Sequence, residues 1–227
     1  MTRFTKQLED LRSRIRSAAA AAGRNENDVS ILAVSKRHSV DAIHTAYSAG
    51  LRAMGENYLQ EALQKMPNCE PDIEWHFIGR IQSNKTRLIA ENFSWAQTVA
   101  DARIARRLND QRPEKRAPLN ICLQICADGD LTHGGVLPGE AATLCEQISK
   151  LPRLRLRGLM TIPAARTGTE AQRKPFRALR ELRDELLGAG YELDTLSMGM
   201  TGDLEAAILE GSTMLRIGTA LFGPREN

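Results

Sequence analysis

Apolar positions along this chain fall into two alternating rhythms: short continuous runs, and longer stretches in which they recur at helical spacing. Phe4 to Ala22 places Leu8, Leu11, Ile15, Ala18 and Ala22 on one helical face, and Gly23 stops it. Ile31-Leu-Ala-Val34 then reads as a buried strand that breaks at Ser35 into the charged pair Lys36-Arg37. Ser39 opens a helix over Val40 to Ala49, which Gly50 closes. The pairing of strand and helix repeats down the chain. Further strands are expected at Arg52 to Met54, Glu74 to Ile78, Trp95 to Val99, Leu119 to Ile125, Leu154 to Leu159, Leu193 to Leu196 and Met214 to Ile217. Helices are expected at Tyr58 to Lys65, from a Ser83-Asn84 cap to Ala90, from Asp101 to Leu108, from Pro138 to Lys150, from Thr169 or Glu170 to Leu187, and from Thr201 to Leu209, ended by Gly211.

Strands that alternate with helices indicate a parallel sheet with right-handed crossovers. Eight such units predict an α/β fold, a single (β/α)8 TIM barrel with an added N-terminal helix, residues 1–227 forming one domain. Little chain follows the eighth strand, so the N-terminal helix is expected to cover the place of a missing eighth helix. A doubly wound open sheet is the competing architecture, but no G-x-G-x-x-G follows the first strand.

Composition narrows the function classes. The formal net charge is +3, with acids and bases mixed along the chain, which argues against a dedicated nucleic-acid surface. No apolar run approaches the roughly 20 residues of a membrane span, and the N-terminus lacks the apolar stretch of a signal peptide. Cys69, Cys122, Cys126 and Cys145 form no C-x-x-C pair, and no histidines show metal-ligand spacing, so neither a metal site nor a disulfide framework is expected. A reduced, cytoplasmic protein is the resulting expectation.

The chemistry gathers at predicted strand ends: Lys36, Asn57, His76 with Gly79, Ser197-Met-Gly-Met200, and Arg216-Ile-Gly-Thr219. In a barrel these would converge on the face where ligands bind. Glycines and hydroxyls after the seventh and eighth strands have the composition of a phosphate cradle. A lysine across the mouth would serve as a point charge for the phosphate or as an amine that forms an imine with a carbonyl. Bland readings stand beside these. A lone strand-end lysine is ordinarily a solvated charge, and Asn57, Ser197 and Gly218 can each serve a turn alone. His76, between Trp75 and Phe77, reads better as a hydrogen-bonded packing residue than as a base. Arg153, Arg155 and Arg157 alternate with leucines as one solvated strand face, and Met198 and Met200 suit adaptable packing.

Six pieces occur in one order and spacing: Ala33-Val-Ser-Lys36; Gly55-Glu-Asn-Tyr58 with Gln60-Glu61; Trp75-His-Phe-Ile-Gly79 with Gln82-Ser-Asn-Lys85; Gly158-Leu-Met160; Ser197-Met-Gly-Met200; and Gly211-Ser-Thr213 through Arg216-Ile-Gly-Thr219 with Phe222-Gly223. Together they resemble the pyridoxal phosphate homeostasis protein family over nearly the whole chain. The resemblance implies a barrel similar to the N-terminal domain of alanine racemase, a fold-type III barrel that binds pyridoxal 5'-phosphate (PLP) as an imine on Lys36. By the same resemblance Ser197, Gly218 and Thr219 would hold the phosphate and Arg216 would approach the pyridine nitrogen, with Asn57, Met198 and Gly199 completing the cofactor-binding set.

An arginine has five donors and no acceptor, so it cannot hold a pyridinium proton, and the ring would be a weak electron sink. That favours a carrier in PLP (vitamin B6) homeostasis and delivery, without strong catalysis of its own. The partners implied are PLP and the apo-forms of PLP-dependent enzymes, on a protein expected to be a monomer without nucleic-acid or membrane partners. The alternative is a PLP-dependent amino-acid racemase or decarboxylase, but such a racemase carries a second, β-rich domain for which the chain leaves no room. The resemblance departs at Asp128-Gly-Asp-Leu-Thr-His-Gly-Gly135, where His133 stands at a position the family often gives to lysine, and at Thr201-Gly202-Asp203, where Thr201 is expected to cap the next helix.

Overall fold

The computed structural model describes residues 2–223. Eight parallel strands close into a barrel in chain order: β1 (Ser30–Val34), β2 (Ala53–Glu56), β3 (Glu74–Phe77), β4 (Trp95–Val99), β5 (Leu119–Gln124), β6 (Leu154–Met160), β7 (Thr195–Ser197) and β8 (Met214–Ile217), with β8 returning to β1. The closing register sets Leu32 opposite Arg216 and Ala33 opposite Ile217. Around them lie α1 (Arg3–Ala21), α2 (Val40–Ser48), α3 (Leu59–Lys65), α4 (Thr86–Asn92), α5 (Ala102–Gln111), α6 (Ala141–Ser149), α7 (Thr169–Gly188), α8 (Leu204–Leu209) and α9 (Thr219–Phe222). The TIM-barrel expectation holds.

Two apolar layers hold this arrangement. The larger lies between the strands and the helical ring, where Ile43, Phe77, Phe93, Leu108 and Phe176 are buried. Alternate strand residues point inward, and the barrel interior holds two small apolar clusters, Leu32 with Val34, Ile78 and Met214, and Trp95 with Cys122 and Met160. Helix α1 packs on α8 and on the single turn of α9, the position the sequence pattern assigns to it. Phe4 meets Phe222 with ring centroids 5.6 Å apart, and Arg14 holds Glu205 through two nitrogens at 2.7 and 2.9 Å.

Several local expectations change: β2 runs over Ala53–Glu56 rather than Arg52 to Met54, and Pro138–Glu140 form a 3₁₀ turn before α6 instead of its first turn. Ser83 does not cap α4; residues 83–85 form a 3₁₀ turn, and Thr86 Oγ1 donates back to Ser83 O at 2.9 Å. Strand β7 runs over Thr195–Ser197 rather than Leu193 to Leu196. It pairs there because Gly158 of β6 lets the backbones close up: a Cβ on Gly158 would lie 1.8 Å from Thr195 O. Thr201 does not cap α8 either. Asp203 Oδ1 accepts from the Met200 N–H at 2.6 Å, closing a turn over 201–203 and delaying the helix to Leu204.

Candidate functional site

The C-terminal ends of the strands surround a pocket of about 220 Å³. Five of the residues read from the sequence line it: Lys36 after β1, Asn57 after β2, Arg216 on β8, and Gly218 and Thr219 after β8. Val34, Ile78 and Ile162 supply apolar wall, and Met200, Thr201, Gly202 and His38 complete much of the lining. His38 lies four residues beyond the end of β1 and stacks on Phe222, with centroids 4.7 Å apart. No strand-end pattern points to His38 or Ile162.

Ser197, Met198 and Gly199 do not line this pocket, against the sequence expectation. Ser197 and Met198 are fully buried. Ser197 Oγ donates to Gln97 Oε1 at 2.6 Å and accepts from Arg216 Nη1 at 2.9 Å, so its hydroxyl is committed within the barrel. Gly199 has a φ of 96°, and a Cβ there would come within 2.5 Å of the Ala207 Cβ. Its role is to carry the backbone close over α8, and the loop reaches the pocket only at Met200. Of the hydroxyl residues after β7, Thr201 rather than Ser197 lines the mouth, where it joins Thr219.

Arg216 is held from beneath. Its Nη1 donates to Ser197 O at 2.6 Å and its Nη2 to Thr161 O at 2.8 Å. Burial lowers its pKa to about 10, which still leaves it cationic at neutral pH. Below it runs a chain of hydrogen bonds through the barrel interior. Arg216 has only donors, so the Ser197 proton must go to Gln97 Oε1. The Gln97 amide then donates to His76 Nδ1 at 2.8 Å, and His76 Nε2–H donates to Glu74 Oε1 at 2.8 Å. Every bond runs in one direction, and this fixes the His76 tautomer. Burial pushes the His76 pKa down, only partly opposed by Glu74, while the bond from His76 holds Glu74 below the usual carboxylate range. His76 is stacked on Trp95 at 5.1 Å and lies away from the pocket, as its packing reading anticipates.

Other features bear on what the pocket accepts. Asn57 Oδ1 is buried without a hydrogen-bond partner among the described residues. The β2–α3 turn that carries it is fitted against Gly79, where a Cβ would lie 2.1 Å from Asn57 O. Among the described residues, the backbone N–H groups of Thr201, Gly202 and Thr219 donate to no protein acceptor. At Gly218 a Cβ would meet only ordinary contacts, the nearest at 3.5 Å from Val34 O, so the fold itself does not demand glycine there. Free N–H donors, a lysine, a guanidinium and an orphaned amide oxygen fit a phosphorylated, carbonyl-bearing aromatic ring, and with it PLP. No group of three or more His, Cys, Asp or Glu among the described residues could hold a metal ion.

Beside the pocket, and sharing Asn57, Ile78 and Ile162 with it, lies a wider cavity of about 570 Å³. Arg80, Arg103 and His133 are on its wall. His133 therefore lines this wider cavity rather than the mouth pocket.

Residues 7–226 match the family described as alanine racemase, N-terminal domain. A pyridoxal phosphate homeostasis protein of Pseudomonas aeruginosa is 50% identical over 227 residues, covering 100% of this chain and 97% of the relative. Among solved structures, PipY of Synechococcus elongatus with PLP bound superposes with a TM-score of 0.85 at 34% identity, covering 97% of this chain and 100% of PipY. An alanine racemase of Clostridium difficile superposes with a TM-score of 0.76 at 17% identity, a likeness of fold in which 95% of this chain spans 56% of the racemase.

Proposed function

Because this chain belongs to the alanine racemase N-terminal domain family, and within it to the pyridoxal phosphate homeostasis proteins, we infer that it binds PLP at the barrel mouth and acts in holding and delivering that cofactor. One observation carries the reading: Lys36, Arg216 and the open N–H groups of Thr201, Gly202 and Thr219 belong to a single pocket. Bound PLP supplies an aldehyde that a lysine amine captures with loss of water, and a ring that withdraws electrons strongly only when its nitrogen is protonated. Lys36 is the amine on this wall. Thr201, Gly202, Gly218 and Thr219 form the phosphate side, a revision of the expected set in which Thr201 and Gly202 take the place of Ser197. Arg216 can donate to an unprotonated ring nitrogen and cannot accept a proton from it. Its position is locked by the hydrogen bonds to Ser197 and Thr161. The fitting recipients of a released cofactor are apo-enzymes that require PLP.

Titration of the apo-protein tests the phosphate side. Pyridoxal, which lacks the phosphate, is expected to bind roughly 100-fold more weakly than PLP or worse, since two lost charge-assisted hydrogen bonds are worth about 1.5–3 kcal/mol each. Equal affinities would remove the cradle from the account.

The carrier reading also predicts an absence of turnover. Incubated with common amino acids in deuterated water, the PLP-loaded protein should show α-proton exchange by NMR no faster than free PLP. General acid–base help is worth about 10²–10⁴-fold. Of the side chains lining the pocket, His38 is the one that could supply it besides Lys36. Fast exchange lost in His38→Ala would establish an enzyme and name its base.

A further inference from the structure

We propose that Glu61 and Lys65 are positioning residues for Lys36, clamping the backbone on both sides of that lysine in a turn its neighbour would not hold unaided. The inference rests on the reading of Lys36 as the PLP-binding amine and adds how that amine is aimed.

Arg37, next to Lys36, has a φ of 61° and is the one non-glycine residue with positive φ among the described residues. The left-handed region is unfavourable for a residue with a Cβ, which crowds the following carbonyl oxygen. Such a conformation persists where its surroundings over-determine it, and it concentrates at functional turns. Here the surroundings are specific. Lys65 Nζ, buried at the end of α3, donates to Ser35 O at 2.9 Å, on the N-terminal side of Lys36. Glu61 Oε1, one helical turn earlier, accepts from the Arg37 N–H at 2.5 Å, on the C-terminal side. The two clamp residues are bonded to each other at 2.5 Å, and Lys65 also binds Glu56 Oε1 at 2.9 Å. Ser35 is tied further: its Oγ donates to Glu56 Oε1 at 2.7 Å, and its carbonyl accepts from the His38 N–H at 3.0 Å.

A helix needs none of this for its own stability. An i,i+4 Glu–Lys pair normally lies in solvent, where it avoids desolvation. Turning this pair inward onto the Lys36 turn desolvates it, and what it secures is the backbone around one side chain. Strand β1 ends at Val34, two residues before Lys36, so the strand's own pairing does not extend to the turn at Arg37. The clamp takes over that function.

The test uses the full chain with PLP as the probe. Apo-forms of the wild type, Glu61→Ala, Arg37→Gly and the double variant are titrated with PLP, and the loaded proteins are reduced with borohydride and mapped by mass spectrometry. In the Arg37 background, Glu61→Ala should weaken PLP binding about tenfold, the scale set by the left-handed preference. In the Arg37→Gly background the same change should cost less than about threefold, because glycine holds the turn without help. Equal losses in the two backgrounds would make Glu61 a merely structural residue and overturn the proposal, as would no loss in either. Amide hydrogen exchange at Arg37 in the apo-protein reads the clamp without the cofactor, and it should accelerate at least about tenfold in Glu61→Ala. Unchanged exchange overturns the clamp even if Lys36 carries the adduct. An adduct on another lysine overturns the reading of Lys36, and with it the positioning role, even where exchange accelerates.

Discussion

Borohydride reduction of the PLP-loaded protein will leave the pyridoxyl group on Lys36, and Lys36→Ala will abolish it while shifting the melting temperature by no more than about 2 °C. The first part follows from access. Lys36 lines the mouth pocket together with Arg216 and Thr219. Lys65, at the end of α3, is buried with its ammonium bonded to Ser35, Glu56 and Glu61, and is poorly placed to compete. Lys85 lies in the 3₁₀ turn before α4 and lines neither cavity of the mouth. The second part follows from burial. Lys36 is half-exposed and outside the apolar clusters, and substitutions at such sites usually change stability by less than about 0.5 kcal/mol. For a chain of this size 1 kcal/mol moves the midpoint by about 2–4 °C. An adduct confined to Lys85, or a Lys36→Ala protein that melts far lower, would displace Lys36 from the centre of the site.

Lys65→Met will be the opposite kind of variant, destabilised by about 3–5 kcal/mol at neutral pH, because it leaves the fully buried Glu56 without its cation. The loss should depend on pH, and its sign is set by Glu56. Burial raises the Glu56 carboxyl above its ordinary value of 4.5, against the opposing pull of Lys65 and the Ser35 hydroxyl. Removing Lys65 removes the largest opposing influence, so the carboxyl rises further. A raised carboxyl means that the folded state keeps a proton the unfolded chain releases. Stability is then fully present below the unfolded value and is lost as pH climbs through the window up to the raised folded value. The gap between Lys65→Met and wild type should therefore be smallest in acid and widen with pH, measured by urea denaturation at a series of pH values. A gap below about 1 kcal/mol that does not vary with pH would mean the buried pair contributes little.

The alternation of buried runs and amphipathic stretches determined the barrel before any coordinates. Parallel strands are apolar on both faces, so they stand out as short runs, and β4 and β8 lie over the residues that pattern marks. The ends of β1 and β8 were legible for the same reason, and with them Lys36, Arg216, Gly218 and Thr219 as neighbours at the mouth. The loop after β7 was not. Adjacent residues of an irregular loop can point inward or toward the mouth, and periodicity carries no sign for that choice. Tertiary packing decided it: the close approach at Gly199 and the Asp203–Met200 bond bury Ser197 under Arg216 and lift Thr201 to the surface of the pocket. Contacts distant in sequence also decided what supports the site. Gln97 lies 100 residues from Ser197, and Lys65 lies 30 from Ser35. Local pattern records which residues are polar, but only the closed barrel determines which polar atoms lie within hydrogen-bonding distance once water has been excluded.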